Sequence, residues 1–129
     1  MSVEAMKQHG LFSWNELMTS DLAAAKSFYS ELLGWTLVDI KAGDMEYTMI
    51  KVGEQQIGGM MAKPPMAGHL PVAWTGYVTV DDVDARAERA KTLGGEICVP
   101  PMDIPEVGRF AIIADQQGAQ LAMITYLKS

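Results

Sequence analysis

Few side chains in this sequence can do chemistry on their own. There is one cysteine, Cys98, and there are two histidines, His9 and His69. A lone cysteine forms no internal disulfide and supplies no thiolate cluster for zinc, which suits a reducing, cytoplasmic setting. It lies in the apolar stretch Glu96-Ile97-Cys98-Val99, where it reads as a small buried hydrophobe; a reactive thiol would need an electropositive neighbour. His9 precedes the first predicted strand and His69 sits in a proline-rich segment, so both read as exposed or locally bonded side chains. Glu16 is different. Strand alternation puts Trp14, Glu16 and Met18 on one face, and a general base in such a partly apolar lining would have a raised pKa, suiting proton abstraction next to a carbonyl. The same group could instead accept a ligand's hydrogen bond, or act structurally by bonding Tyr77 or a backbone amide.

The elements that must position these residues come as an internal repeat. Residues 11–19 read as a strand, Ser20-Asp21 as the cap of a helix over 22–33, and Gly34 as its stop. Farther on, 73–80 reads as a strand, Asp81-Asp82 as the cap of a helix over 83–93, and Gly94-Gly95 as its stop. Asp82 minus Asp21, Ala85 minus Ala24, Leu93 minus Leu32 and Gly95 minus Gly34 all give 61, and at that offset Val99 also falls on Val38 and Gln116-Gln117 on Gln55-Gln56. Matches beyond the helices favour a duplication over convergent capping. Extended runs follow each helix: 35–41, 46–52 and 56–62 with turns at 42–44 and 53–54, then 96–99, 109–114 and 119–127 with a Pro/Gly-rich loop over 100–108 and a turn at 115–118.

Each module therefore reads βαβββ. The fold class is α+β, one domain over 1–129 made of a first module over 11–62, a hinge over 63–71 and a second module over 72–127. Leu22, Ala25, Tyr29, Leu32 and Leu33 line one side of the first helix, and Val83, Ala87, Ala90 and Leu93 one side of the second, so each helix covers one sheet face. The opposite faces are free to form a concave, mixed-sheet cup. Trp14, Glu16 and Met18, with Thr75, Tyr77 and Thr79, point into it, as do Gln120, Ala122 and Ile124. Tyr47, Met49 and Lys51 share a strand face that alternation alone does not assign.

Lys and Arg number 10 against 16 Asp and Glu, a net charge of −6, so a hold on phosphate backbones has no global support and nucleic acid is not expected. No apolar run approaches the roughly 18 residues of a membrane span, and residues 1–10 lack an apolar core for export, so a soluble, unexported, cytoplasmic protein is expected.

Three segments carry a family resemblance. Residues 21–35, DLAAAKSFYSELLGW, are similar to the pattern D-L-x-x-A-x-x-F-Y-x-x-x-L-G-W of the vicinal oxygen chelate superfamily of glyoxalases, bleomycin-resistance proteins and extradiol dioxygenases. Val80-Asp81-Asp82-Val83-Asp84-Ala85 with Leu93-Gly94-Gly95, and Gly108-Arg109-Phe110-Ala111 with Asp115-Gln116-Gln117-Gly118-Ala119, resemble its second-module signatures. Asp-Gln replaces the family's Asp-Pro in the last turn, which should loosen that turn without removing it. Trp74-Thr75-Gly76-Tyr77 and the loop over 100–105 resemble the branch of a mycobacterial culture-filtrate antigen described as a glyoxalase.

The resemblance implies paired βαβββ modules and, in many members, a divalent ion held by His, Gln or Glu on the first and last strands of each module. Carried over by position, those ligand sites fall on Trp14, Thr75 and Ala122, with Met61 as the fourth, or Gly59 if the first module's last hairpin is two residues shorter. None is an ordinary ligand. The expectation is no metal and no other cofactor, with a small molecule bound by Trp14, Glu16, Met18, Tyr47, Thr75, Tyr77 and Ala122 and with Glu16 as the catalytic candidate. The other function class is an enzyme: a lyase, isomerase or dioxygenase working through a displaced metal or through Glu16. A homodimer is expected, because open sheet edges need pairing or cover and the superfamily commonly dimerises.

Overall fold

The computed structural model describes residues 3–42 and 45–127. The expected turn at 42–44 therefore falls largely outside the described residues. In chain order the elements are α1 (Val3–Met6), β1 (Phe12–Thr19), α2 (Leu22–Leu33), β2 (Thr36–Ala42), β3 (Met45–Val52), β4 (Gln55–Ala62), a 3-10 turn (Pro65–Ala67), β5 (Ala73–Thr79), α3 (Val83–Thr92), β6 (Glu96–Ile104), β7 (Gly108–Ala114) and β8 (Gln120–Tyr126). The chain divides into two compact units. One is Trp14–Trp74; the other joins the described residues up to Ser13 to those from Thr75 onward.

In the unit Trp14–Trp74 the strands run in the order β2, β3, β4, β1. β3 is antiparallel to β2 and β4, whereas β1 and β4 are parallel, with Glu16 opposite Gly59 and Met18 opposite Met61. Asp21 caps α2 by accepting the Ala24 amide at 3.0 Å, and Gly34 ends it in the left-handed region, φ 69°. Leu22, Ala25 and Tyr29 of α2 pack with Trp35, Leu37 and Ile57 around Leu17, Ile50 and Met60. Tyr29 stacks on Trp35 and meets Trp74 edge-on, and the Trp74 indole N–H donates to the Tyr29 hydroxyl at 3.0 Å. The expected apolar side of α2 is only half used: Leu32 and Leu33 are exposed, as is Phe28. Periodicity gives the side of a helix that meets the sheet but not how far along the helix the sheet reaches.

The other unit repeats the plan in the order β5, β8, β7, β6, with β5 and β8 parallel. Asp82 caps α3 through the Ala85 amide at 3.1 Å, and Val83 and Ala87 bury against Val80, Ala111 and Met123. The helix stops at Thr92; Leu93, expected inside it, is a cap residue and is exposed, and Gly94 takes the left-handed turn. Asp115 holds the last turn by accepting the amides of Gln117 and Ala119, so the missing proline is compensated by the carboxylate. The expected loop over 100–108 is mostly strand: Pro100 and Pro101 lie in β6. That strand ends its sheet order and carries register shifts around Val99, where missing amide donors cost no ladder bond.

Arg109 ties α3 to this sheet. Its guanidinium donates twice to Asp84 of α3, at 2.7 and 3.0 Å, and once to Asp103 of β6 at 3.0 Å. Hydrogen bonding to Arg109 holds the Asp84 carboxyl below its ordinary 3.8. A carboxylate depressed in the folded state stabilises the fold above its unfolded value and stops doing so as pH falls through the folded one. Arg109→Ala is therefore expected to lower the melting temperature by about 1–3 °C at pH 7, the range of exposed ion pairs, and to cost progressively less below pH ~4. An equal loss at both pH values would assign the effect to packing of the arginine stem.

Candidate functional site

The two core clusters fix which faces the helices cover. In the unit Trp14–Trp74, Leu17, Ile50 and Met60 face α2, so alternation turns Trp14, Glu16 and Met18 of β1, Tyr47 and Met49 of β3, and Gly59 and Met61 of β4 to the helix-free face. Two facts agree with this. The Trp14 indole N–H donates to the Tyr47 hydroxyl at 2.8 Å, and Met49 and Glu16 both pair with Gly59. Tyr47, unassigned by alternation, thus joins Trp14. Lys51 lies beyond a register shift at Ile50/Lys51, so the simple alternation that grouped it with Tyr47 and Met49 is interrupted there.

Trp14, Tyr47 and Met49 are half-buried; Glu16 and Met18 are each 6% exposed. The face thus carries two aromatic rings, a thioether and a buried carboxylate, a composition usual for small-molecule sites.

In the other unit Val78, Val80, Ala111 and Met123 face α3. Thr75, Tyr77 and Thr79 of β5, with Gln120, Ala122 and Ile124 of β8, take the helix-free side, and Tyr77 pairs with Ala122. The Tyr77 ring lies 6.5 Å from that of Phe110. The Thr79 hydroxyl stands 2.8 Å from Ser13 Oγ and also meets the Met6 carbonyl, and Ser13 Oγ is 2.9 Å from the Tyr126 hydroxyl. Sequence reasoning missed Ser13 and Tyr126, which lie 113 positions apart, and Phe110. Only the pairing of β7 with β8 carries a usable signal for Phe110, which falls opposite Ile124.

The register also decides between Met61 and Gly59 as the residue of β4 that matches Ala122 of β8. Under the 61-residue offset Tyr77 corresponds to Glu16; Tyr77 pairs with Ala122, and Glu16 pairs with Gly59 rather than Met61. Between the two alternatives for the first module, Gly59 rather than Met61 is therefore the counterpart of Ala122. Among the described residues no group of three or more His, Cys, Asp or Glu comes together as a metal ion would need. His9 accepts the Asp81 amide at its Nδ1, and both His9 and His69 are exposed. Burial, with Glu96 adding to it, pushes the Cys98 thiol up, away from the thiolate that nucleophilic attack requires. Among the described residues no helix is long and apolar enough to cross a membrane.

Comparison with known proteins places these features. The family model described as Glyoxalase/Bleomycin resistance protein/Dioxygenase superfamily matches residues 11–123. The chain is 40% identical over 121 residues to the protein named "Putative glyoxylase CFP32" of Mycobacterium bovis, covering 92% of this chain and 45% of that protein. It is 35% identical over 127 residues to "Anthracycline biosynthesis protein DnrV" of Streptomyces peucetius, covering 88% of this chain and 46% of that one. It thus spans about half the length of the curated relatives it matches. Among solved structures, methylmalonyl-CoA epimerase from Mycobacterium tuberculosis superposes with a TM-score of 0.60 at 18% identity, covering 96% of both chains. A hypothetical protein, BH1468, from Bacillus halodurans gives 0.62 at 11% identity, covering 95% of this chain and 98% of that one. These two likenesses concern the fold.

Proposed function

The chain belongs to the glyoxalase/bleomycin resistance protein/dioxygenase superfamily, and from that premise we propose that it binds a small, partly aromatic or amphipathic molecule on its helix-free faces without the family's metal ion. One observation carries this reading: in each unit taken by itself the positions carried over from the family pattern lack a metal donor, an indole and a glycine standing at Trp14 and Gly59, a hydroxyl and a methyl group at Thr75 and Ala122. A divalent ion needs imidazole or carboxylate lone pairs at about 2.0–2.2 Å, and neither pair of residues supplies them. Trp14 and Tyr47 supply ring surface, and Glu16 an acceptor for a donor group on the ligand. The name of the Streptomyces relative supports trying flat, oxygen-bearing polycyclic ligands first. Exposed Phe28, Leu32 and Leu33 support a homodimer, and the lone cysteine suits the cytoplasm.

Thermal shift of EDTA-treated protein against metabolites, with hydroxyanthraquinones among them, tests the reading. A ligand at about a hundred times its dissociation constant should raise the melting temperature by ~5–10 °C. A panel without any stabilising compound would count against a binding module. The burial of Glu16 favours a second reading, metal-free proton transfer next to a carbonyl; its signature is turnover abolished by Glu16→Gln.

A further inference from the structure

Gly59 stands where the family pattern would place a metal ligand, and the space its side chain would need is already filled. A Cβ built on Gly59 would lie 1.8 Å from the Tyr47 hydroxyl oxygen and 2.1 Å from the adjoining ring carbon. The Tyr47 ring therefore lies directly across the strand at Gly59, and the Trp14 indole N–H fixes its tip at 2.8 Å. Two inherited ligand positions of the first module, Trp14 and Gly59, hold one and the same side chain.

We infer that Gly59 and Trp14 are positioning residues for Tyr47: the absent side chain at 59 is the seat on which the phenol ring lies, and the first module presents an aromatic platform where a metal donor would have stood. The inference rests on the ligand-binding reading for its ligand and names the class: a flat aromatic ring system carrying oxygen, laid against Tyr47 and Trp14. Ring stacking needs a rigid partner, and a tyrosine pinned at both its face and its tip loses little freedom when a ligand arrives.

The obstruction at Gly59 is the far end of a side chain rather than backbone. Gly59→Ala should therefore swing the ring away while leaving the strand in place. The readout is the Trp14 indole N–H resonance of the full chain, identified by its loss in Trp14→Phe. It should move in Gly59→Ala to the position it takes in Tyr47→Phe, where its acceptor is gone, although Gly59→Ala retains every atom of the tyrosine. An unchanged resonance in Gly59→Ala would overturn the inference.

Should Gly59→Ala fold poorly, Gly59→Ala/Tyr47→Ala decides. With the ring removed it should melt with Tyr47→Ala, and a double variant as unstable as Gly59→Ala alone would contradict the seat. For binding, the probe is 1-hydroxyanthraquinone, whose affinity should fall ~10-fold or more in both Tyr47→Ala and Gly59→Ala. Unchanged probe affinity in both variants would contradict the platform. A probe that fails to bind the unaltered protein counts against the ligand-binding reading and the ligand class, while the indole resonance still decides the seat.

Discussion

Gly108→Ala is expected to be among the most damaging single-methyl changes in the chain, lowering stability by about 3 kcal/mol and the melting temperature by ~10 °C. Gly108 opens β7 opposite Tyr126 and is buried. A Cβ there would sit 2.2 Å from the Thr125 carbonyl oxygen and 2.9 Å from the Tyr126 Cα. Both atoms are backbone, so no rotamer change relieves the contact. The two strands must separate at the point from which Tyr126 reaches Ser13. Gly68→Ala serves as the comparison: Gly68 is exposed at φ −61°, a Cβ there would meet only the Pro65 carbonyl oxygen, at 3.3 Å, and the change should cost far less than Gly108→Ala. Thermal unfolding of the two variants side by side checks the prediction, and equal melting temperatures would refute it.

The second large effect concerns Glu16, the carboxylate 6% exposed on the Trp14–Tyr47 face. Glutamine has nearly the same shape and still hydrogen bonds, but it carries no charge. If Glu16 meets a donor on the ligand, Glu16→Gln should leave the melting temperature within a few degrees of wild type and weaken binding about 10- to 100-fold, the scale of a hydrogen bond to a charged group. A structural carboxylate gives the opposite pattern, a large fall in stability with little change in affinity. Thermal unfolding and a binding titration on the same sample distinguish the two.

Local signals were readable without the structure. Asp21 and Asp82, each three residues before the amide it caps, mark both helix starts, and two-residue alternation places Trp14, Glu16 and Met18 on one face and Thr75 and Tyr77 on another. Non-local features were not. Proline in β6 is tolerated because of that strand's place at the end of the sheet order, which sequence does not encode locally. The exposure of Leu32, Leu33 and Leu93 depends on where the sheets end beneath the helices. The role of Gly59 needed the parallel register of β1 and β4, a two-residue shift from simple duplication, together with the reach of a tyrosine from β3. A glycine in a strand reads as a weak link until the ring lying on it is seen.

We propose that this family scaffold binds its ligand without a metal. Calorimetric titration of 1-hydroxyanthraquinone into EDTA-treated protein, repeated with added Zn2+, Ni2+ and Mn2+, tests it most directly. Saturable binding with the same affinity in every condition is expected. Binding that appears only after a metal is restored would contradict it.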